Sequence, residues 1–264
     1  GPENRSIFLG MNIADPELKF SDVKGKNPFA DLKVRQAMNM AIDRAAIRKV
    51  VMADQSIPSG SIIPPFVNGY TKELDAIPAR DIAKAKALMT EAGYGQGFAV
   101  TMHCPNDRYL NDEKICQAVV GMLARVGVKV NLMAQPKAQY FGKVLKAGGY
   151  QTSFYLLGWT PGTFDSHNVL HDIEGCRDNP QSSRGESNLG NYCNKKHDEL
   201  TDKVLVENDK AKRDQLIKEA FQITTSEYGY IPLHQQALAW GVSKKVKLSQ
   251  RADNSVLLYW ARKE

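Results

Sequence analysis

Phe98-Ala99-Val100-Thr101-Met102-His103-Cys104, read with the segment that follows it as far as Leu157, decides the fold. Phe98–Cys104 reads as a strand. Asn111 is placed to cap a helix whose apolar stripe is Ile115, Ala118, Val119, Met122, Leu123 and Val126, closed by Gly127. Val128, Val130 and Leu132 alternate as a second strand, residues 137–147 form a second helix, and residues 152–157 form a third strand. This is a βαβαβ unit. Such units make parallel strands with right-handed crossovers, and their ligands sit at the carboxyl ends of the strands. The loops that matter therefore begin after Cys104, Leu132 and Leu157.

Upstream, Val34, Ala37, Met38, Ala41 and Ile42 follow helical spacing, which predicts one amphipathic helix over residues 31–52 with Asp31 as its cap. The prolines of Ile57-Pro58-Ser59-Gly60-Ser61-Ile62-Ile63-Pro64-Pro65 require an extended connection. A helix over residues 82–92 should stop at Gly93. Ile7-Phe8-Leu9-Gly10-Met11 reads as a strand, and Gly1-Pro2 before it as a scar left by tag removal. Downstream, helices are expected over residues 195–207 and 210–226, a strand-like run over 230–242, and a last apolar strand at Val256-Leu257-Leu258-Tyr259-Trp260.

With 264 residues, 42% of them apolar and 24% charged, the chain can bury a large core and has the composition of a folded globular protein. No run reaches the roughly 18 apolar residues that span a bilayer. The net charge of +6 is spread among acidic residues, as in Glu207-Asn208-Asp209-Lys210-Ala211-Lys212-Arg213. A solvated basic surface is therefore expected, and no nucleic-acid partner. Four cysteines without C-x-x-C spacing argue against zinc or thioredoxin chemistry. Cys176 and Cys193 bracket a polar segment that cannot build a core of its own, so a bridge between them is expected in an oxidising compartment. Whether Cys104 and Cys116 pair stays open, because a strand end and a helix start must meet with the right geometry.

Asn27-Pro28-Phe29-Ala30-Asp31-Leu32-Lys33-Val34-Arg35-Gln36-Ala37, continuing to Ala41-Ile42-Asp43-Arg44, resembles a characteristic run of family 5 (dipeptide and oligopeptide type) solute-binding proteins of ABC importers. Ile62-Ile63-Pro64-Pro65, Ala83–Tyr94, Gly127-Val128-Lys129-Val130, Gly158-Trp159 and Ile231-Pro232-Leu233 continue the likeness in order, from about Ile7 to the end. The resemblance implies an α/β lobe of the type II periplasmic-binding-protein fold, with a mostly parallel central sheet flanked by helices. It implies a second lobe over residues 3–251 whose first lobe is absent, and a tail over residues 252–264 that returns to that missing lobe. It also implies a non-catalytic receptor without cofactor, periplasmic in location, whose partners are a peptide or peptide-like solute and a membrane permease.

Topology places Arg108 after the first strand of the unit and Trp159 after the third, both at the cleft-facing strand ends. A guanidinium there can take a ligand carboxylate, and an indole can wall the cleft. Asn106 and Tyr109 share the Arg108 loop, and Tyr155 lies near the other strand end. In peptide binders the third residue after this Trp is commonly an Asp that pairs with the ligand's amino group. Here it is Gly162: either Asp165, which matches a second acidic position of the family loop, serves instead, or the solute is not a simple peptide.

The competing constellation is His167 and His171, spaced i, i+4 as in zinc peptidases, with Asp165 as partner in a metal-dependent hydrolase. No Glu follows His167, and Asp172 alone is a thin third ligand, so no metal is expected. Gly93-Tyr94-Gly95-Gln96-Gly97 follows a helix and precedes a strand, the reverse of a dinucleotide loop.

Overall fold

The structure, a computed structural model, describes all residues except Pro180 and Glu264. Its core is one six-stranded sheet in the order β2-β6-β1-β5-β3-β4. The strands are β1 (Pro2–Met11), β2 (Ser56–Pro58), β3 (Phe98–Pro105), β4 (Val128–Gln135), β5 (Phe154–Trp159) and β6 (Tyr230–Ala237). β4, β3 and β5 run parallel to one another. They are joined by α4 (Asp112–Ala124) and α5 (Lys137–Val144), as the βαβαβ reading requires. β1 pairs antiparallel with β5 and β6, and β2 antiparallel with β6. The expected helix-flanked sheet is present, but it is mixed: its parallel character is confined to the crossover unit. β1 lies between β5 and β6 and runs opposite to both, and β2 runs opposite to β6.

The strands are apolar on both faces because both are covered. Ile7, Leu9 and Met11 of β1 join Val100, Met102 and Leu156 in a core beneath α1 (Leu32–Ala41), α3 (Ile82–Glu91) and α4. Phe8, Tyr155, Leu157 and Tyr230 face the other way. That face is closed by α5, α6 (His167–Asp172), α7 (Lys195–Val206) and α8 (Lys210–Ser226).

Several boundaries differ from expectation, each for a local reason. The single helix expected over residues 31–52 stops at Ile42, which is extended. Asp43 then caps a new turn by accepting from the Ala46 N–H, so α2 (Arg44–Ala46) begins there and runs into a π-helical turn over Ile47–Val51. Asn111 does not cap α4. It is left-handed, at φ 56°, and its side-chain amide donates to Val51 O. Asp112, the first residue of the helix, holds the loop before it, accepting the Arg108 and Tyr109 N–H groups at 2.9 Å each. The strand expected over residues 230–242 ends at Ala237. The apolar tail is not a strand: Leu258–Trp260 is one 3-10 turn. Only β7 (Val246–Lys247) and β8 (Arg262–Lys263) pair nearby. A strand persists only where a partner edge is offered.

The motif residues act as fasteners. Arg35 donates to Phe29 O, Ala30 O and Glu227 O. Arg44, almost fully buried, donates to Pro232 O of β6 and to Asn39, and burial pushes its guanidinium down to about 10. Both cysteine pairs are bridged, Cys104 to Cys116 and Cys176 to Cys193, and no cysteine among the described residues is free. Beside the second bridge, His197 is fully buried with Nε2 3.0 Å from Glu174 and Nδ1 3.8 Å from Asp198. Burial alone would lower its pKa, but the two carboxylates outweigh it and push it up to about 9.

Two predictions follow from this arrangement. Thiol counting in denaturant without reductant should find no reactive sulfhydryl, and removing the Cys176–Cys193 bridge should cost about 3 kcal/mol; four reactive thiols would contradict both bridges. A His whose folded pKa is raised contributes stability that is fully present below its unfolded pKa, near 6.5, and is lost as pH climbs through about 9. Denaturant melts from pH 6 to 10 should show this loss in the native chain and not in His197→Gln; a flat difference between the two would contradict it.

Candidate functional site

The parallel β3 and β5 end on the same rim of the sheet. Because β1 runs antiparallel to β5, with Ser6 opposite Trp159, the start of β1 lies on that rim too. An open groove forms there, lined by Arg5, Arg108, Tyr109, Leu157, Gly158, Trp159 and Thr160, with Phe141, Leu145 and Ser187 completing the wall.

Tyr109 forms the floor. It is 7% exposed, and its hydroxyl donates to Gly158 O at 3.3 Å. A Cβ at residue 158 would sit 2.7 Å from the Tyr109 ring, so the glycine before Trp159 is what lets this ring lie down. Arg108 lies over the ring at 5.0 Å from its centroid, and Arg5 at 5.8 Å. Arg108 is exposed, and it pairs with neither acidic neighbour. Asp112 accepts backbone N–H groups, and Asp107 accepts the Lys137 N–H at 2.5 Å. Arg5 is more firmly held, by the buried Glu3 at 3.2 Å and by Thr160 Oγ1 at 3.0 Å.

Trp159 is half-buried, and its indole N–H donates to Asn168 Oδ1 at 2.9 Å. Asn168 in turn donates to Asp172. With its only donor committed, the indole has its ring face left for a ligand.

The groove thus brings together Arg108, Tyr109 and Trp159 from among the residues expected at the site. The others are placed differently. Tyr155 is fully buried inside the second core: it shares the face of Leu157 and Trp159 but lies four residues short of the strand end, its ring over Gly10 of β1, and it does not line the groove. Asn106 is exposed but outside the groove lining, its N–H tying the loop to Gln135 O. Gly162 is exposed, with open space where a side chain would stand.

Asp165 is already engaged. It takes Arg213 bidentately at 2.8 Å for both bonds, accepts the His167 N–H at 2.9 Å, and accepts from Asn68 at 3.2 Å. Burial would raise its carboxyl, but the bonds from Arg213, His167 N–H and Asn68 hold it below the ordinary carboxylate range. It fastens the loop after β5 to α8 and is not free to meet a ligand amine.

His167 and His171 stack with centroids 5.5 Å apart, and His171 Nδ1 lies 2.7 Å from Asp172. Among the described residues no group of three side chains could hold a metal ion. The hydrolase reading therefore has no support.

Sequence reasoning missed Arg5 and Thr160. Arg5 precedes a strand whose direction relative to β5 is not readable from the sequence, so nothing marked it as a rim residue.

Comparison with known proteins places these observations in a family. The family model of bacterial extracellular solute-binding proteins, family 5 middle, matches residues 1–181. The glutathione-binding protein GsiB of Salmonella typhimurium is 31% identical over 249 residues, covering 93% of this chain and 45% of that protein. The chain thus spans about half the length of the curated relatives it matches. Among solved structures, a dipeptide binding protein from Pseudoalteromonas sp. SM9913 in complex with Met-Leu superposes with TM-score 0.81 at 24% identity, over 100% of this chain and 50% of that one. A peptide-binding protein of a peptide ABC transporter superposes with TM-score 0.71 at 21% identity, over 88% of this chain and 99% of that one. At these identities the structural likenesses show the fold.

The groove loop depends on Asp112. Replacing it with Ala removes three hydrogen bonds to its carboxylate, from the Arg108, Tyr109 and Glu113 N–H groups, and should cost about 2 kcal/mol of stability, with broadening of the Arg108 and Tyr109 amide resonances. Unchanged stability and sharp resonances would show that the loop is held otherwise.

Proposed function

Since the chain belongs to the family 5 bacterial extracellular solute-binding proteins, we propose that it is one lobe of the solute receptor of an ABC importer, gripping a peptide or peptide-like solute at the groove beneath Arg108 and Trp159. The observation that carries this reading is the convergence of Arg108, Tyr109 and Trp159 on one open rim of the sheet. An enzyme needs a positioned acid, base or nucleophile. The groove offers none: its residues can bind and orient, and the reading assigns it no catalysis.

The path of the chain supports a second lobe. β1 starts beside the end of β6, with Ser6 opposite Gln235. The incoming and outgoing strands therefore lie side by side at the groove's edge, where a two-strand hinge to a facing lobe would start. Beyond the sheet the chain exposes Leu258 and Tyr259, each 78% exposed, with Val256 and Trp260. An apolar run of this kind asks for a partner surface. We assign residues 3–251 to this lobe and residues 252–264 to a tail that packs on the other one. Closure of the two lobes over the solute would then present the surface read by a membrane permease. Two disulfides fit an oxidising location, the periplasm. Glutathione, which the relative GsiB is named for binding, is the first solute to test.

A site split between two lobes loses half its contacts when one is absent. If the intact site binds at about −8 kcal/mol, in the micromolar range, half of that leaves about −4 kcal/mol, or roughly millimolar. Calorimetry of this chain with glutathione and dipeptides should show no binding tighter than that; tight, one-to-one binding would contradict the two-lobe reading. Native mass spectrometry of the two-lobed protein should reveal a co-purifying peptide-like mass that Arg108→Ala loses. Its full retention would remove Arg108 from the site.

A further inference from the structure

Two guanidiniums line the groove, and one of them has no counter-ion among the described residues. Arg108 makes no hydrogen bond or ion pair through its guanidinium among the described residues; its contact is the face of Tyr109. Arg5 shares that ring. Its counter-ion Glu3 is fully buried and is not part of the groove wall. No residue lining the groove is acidic. The nearest acid of the loop after β5, Asp165, spends both oxygens on Arg213, and Gly162 offers no side chain at all.

An ammonium group placed here would face the unpaired guanidinium of Arg108 and the Glu3-paired one of Arg5, with no carboxylate in the groove wall to answer it, which is unfavourable in a partly desolvated site. A carboxylate would meet the free fork of Arg108 and the N–H groups of Arg5 not spent on Glu3 and Thr160. The indole of Trp159, its N–H already donated to Asn168, offers only an apolar face. Resting on the receptor reading above, we propose that the solute is anionic where this lobe grips it. It presents carboxylate groups to Arg5 and Arg108 together, lays an apolar stem against Trp159, and carries no ammonium on this side. The class is a dicarboxylate with a short hydrocarbon spine, in preference to a zwitterionic dipeptide.

The chain itself, labelled with 15N, can be titrated with glutarate, butyrate and alanyl-alanine while the Trp159 indole and arginine Nε resonances are followed. Glutarate should move these resonances at concentrations at least about tenfold below those needed for alanyl-alanine, the factor expected for one charge-assisted contact, with butyrate between them. High salt should erase the difference. Arg108→Gln and Arg5→Gln should each weaken glutarate by about tenfold or more. Arg108 is exposed and unpaired, so its replacement keeps the fold and carries the test even if Arg5→Gln does not fold.

Alanyl-alanine moving Trp159 as readily as glutarate, or Arg108→Gln leaving the glutarate titration unchanged, would overturn the anion proposal while leaving the receptor reading intact. If none of the three solutes moves Trp159, the anion proposal is overturned as well, while the receptor reading is tested separately by the solute that co-purifies with the two-lobed protein.

Discussion

The strand at the start of the chain has to lie in the middle of the sheet, and nearly everything else follows from that. β1 is hydrogen-bonded on both sides, antiparallel to β5 and to β6. It gives Ile7, Leu9 and Met11 to one core and Phe8 to the other. A slip of one residue in its register would exchange these sets between the two faces. The same pairing brings Arg5 alongside Thr160 and Trp159, and it makes the chain enter and leave the sheet at one edge. The burial that holds the sheet together therefore also composes the rim on which the groove sits.

What surrounds that rim is rigid before any ligand arrives. Cys104, near the end of β3, is tied to Cys116 in α4, Asp112 holds two amides of the intervening loop, and Leu110 N–H reaches Gln236 of β6. Gln236 donates to Glu3, and Glu3 holds Arg5. On the other side of the groove, Asp165 and Arg213 fix the loop that carries Trp159 onto α8. Groups ordered in advance do not have to be ordered by the ligand, so more of each contact remains as affinity. Arg35 and Arg44, the most conspicuous charges of the stretch that resembles the family, are spent on backbone carbonyls far from the groove.

The crossover unit was legible because its signals are local: alternating strands, helical stripes and glycine stops each speak through neighbouring residues. That was enough to put Arg108 and Trp159 on one rim. What escaped depends on contacts between distant segments. Tyr155 and Trp159 sit on the same face of the same strand, and only the packing of the second core decides that Tyr155 is sealed while Trp159, at the strand end, is half-open. Asp165 looked free because Arg213, its partner, is 48 residues away in the chain. Arg5 looked like a mere flank of a strand until the antiparallel pairing placed it over Tyr109. The break at Ile42 and the missing cap at Asn111 belong to a subtler class, in which a polar side chain takes a backbone partner other than the one its spacing suggests: Asp43 accepts the Ala46 N–H, and the Asn111 amide donates to Val51 O.

The central claim is spatial: solute is gripped at the rim shared by β1, β3 and β5. A crystal structure of the two-lobed protein with its co-purified solute tests it most directly. The account predicts the solute in hydrogen-bond contact with Arg108 and in van der Waals contact with the face of Trp159, with the facing lobe closing from the side where β1 enters and β6 leaves. A solute seated elsewhere, with Arg108 and Trp159 both open to solvent, would contradict it.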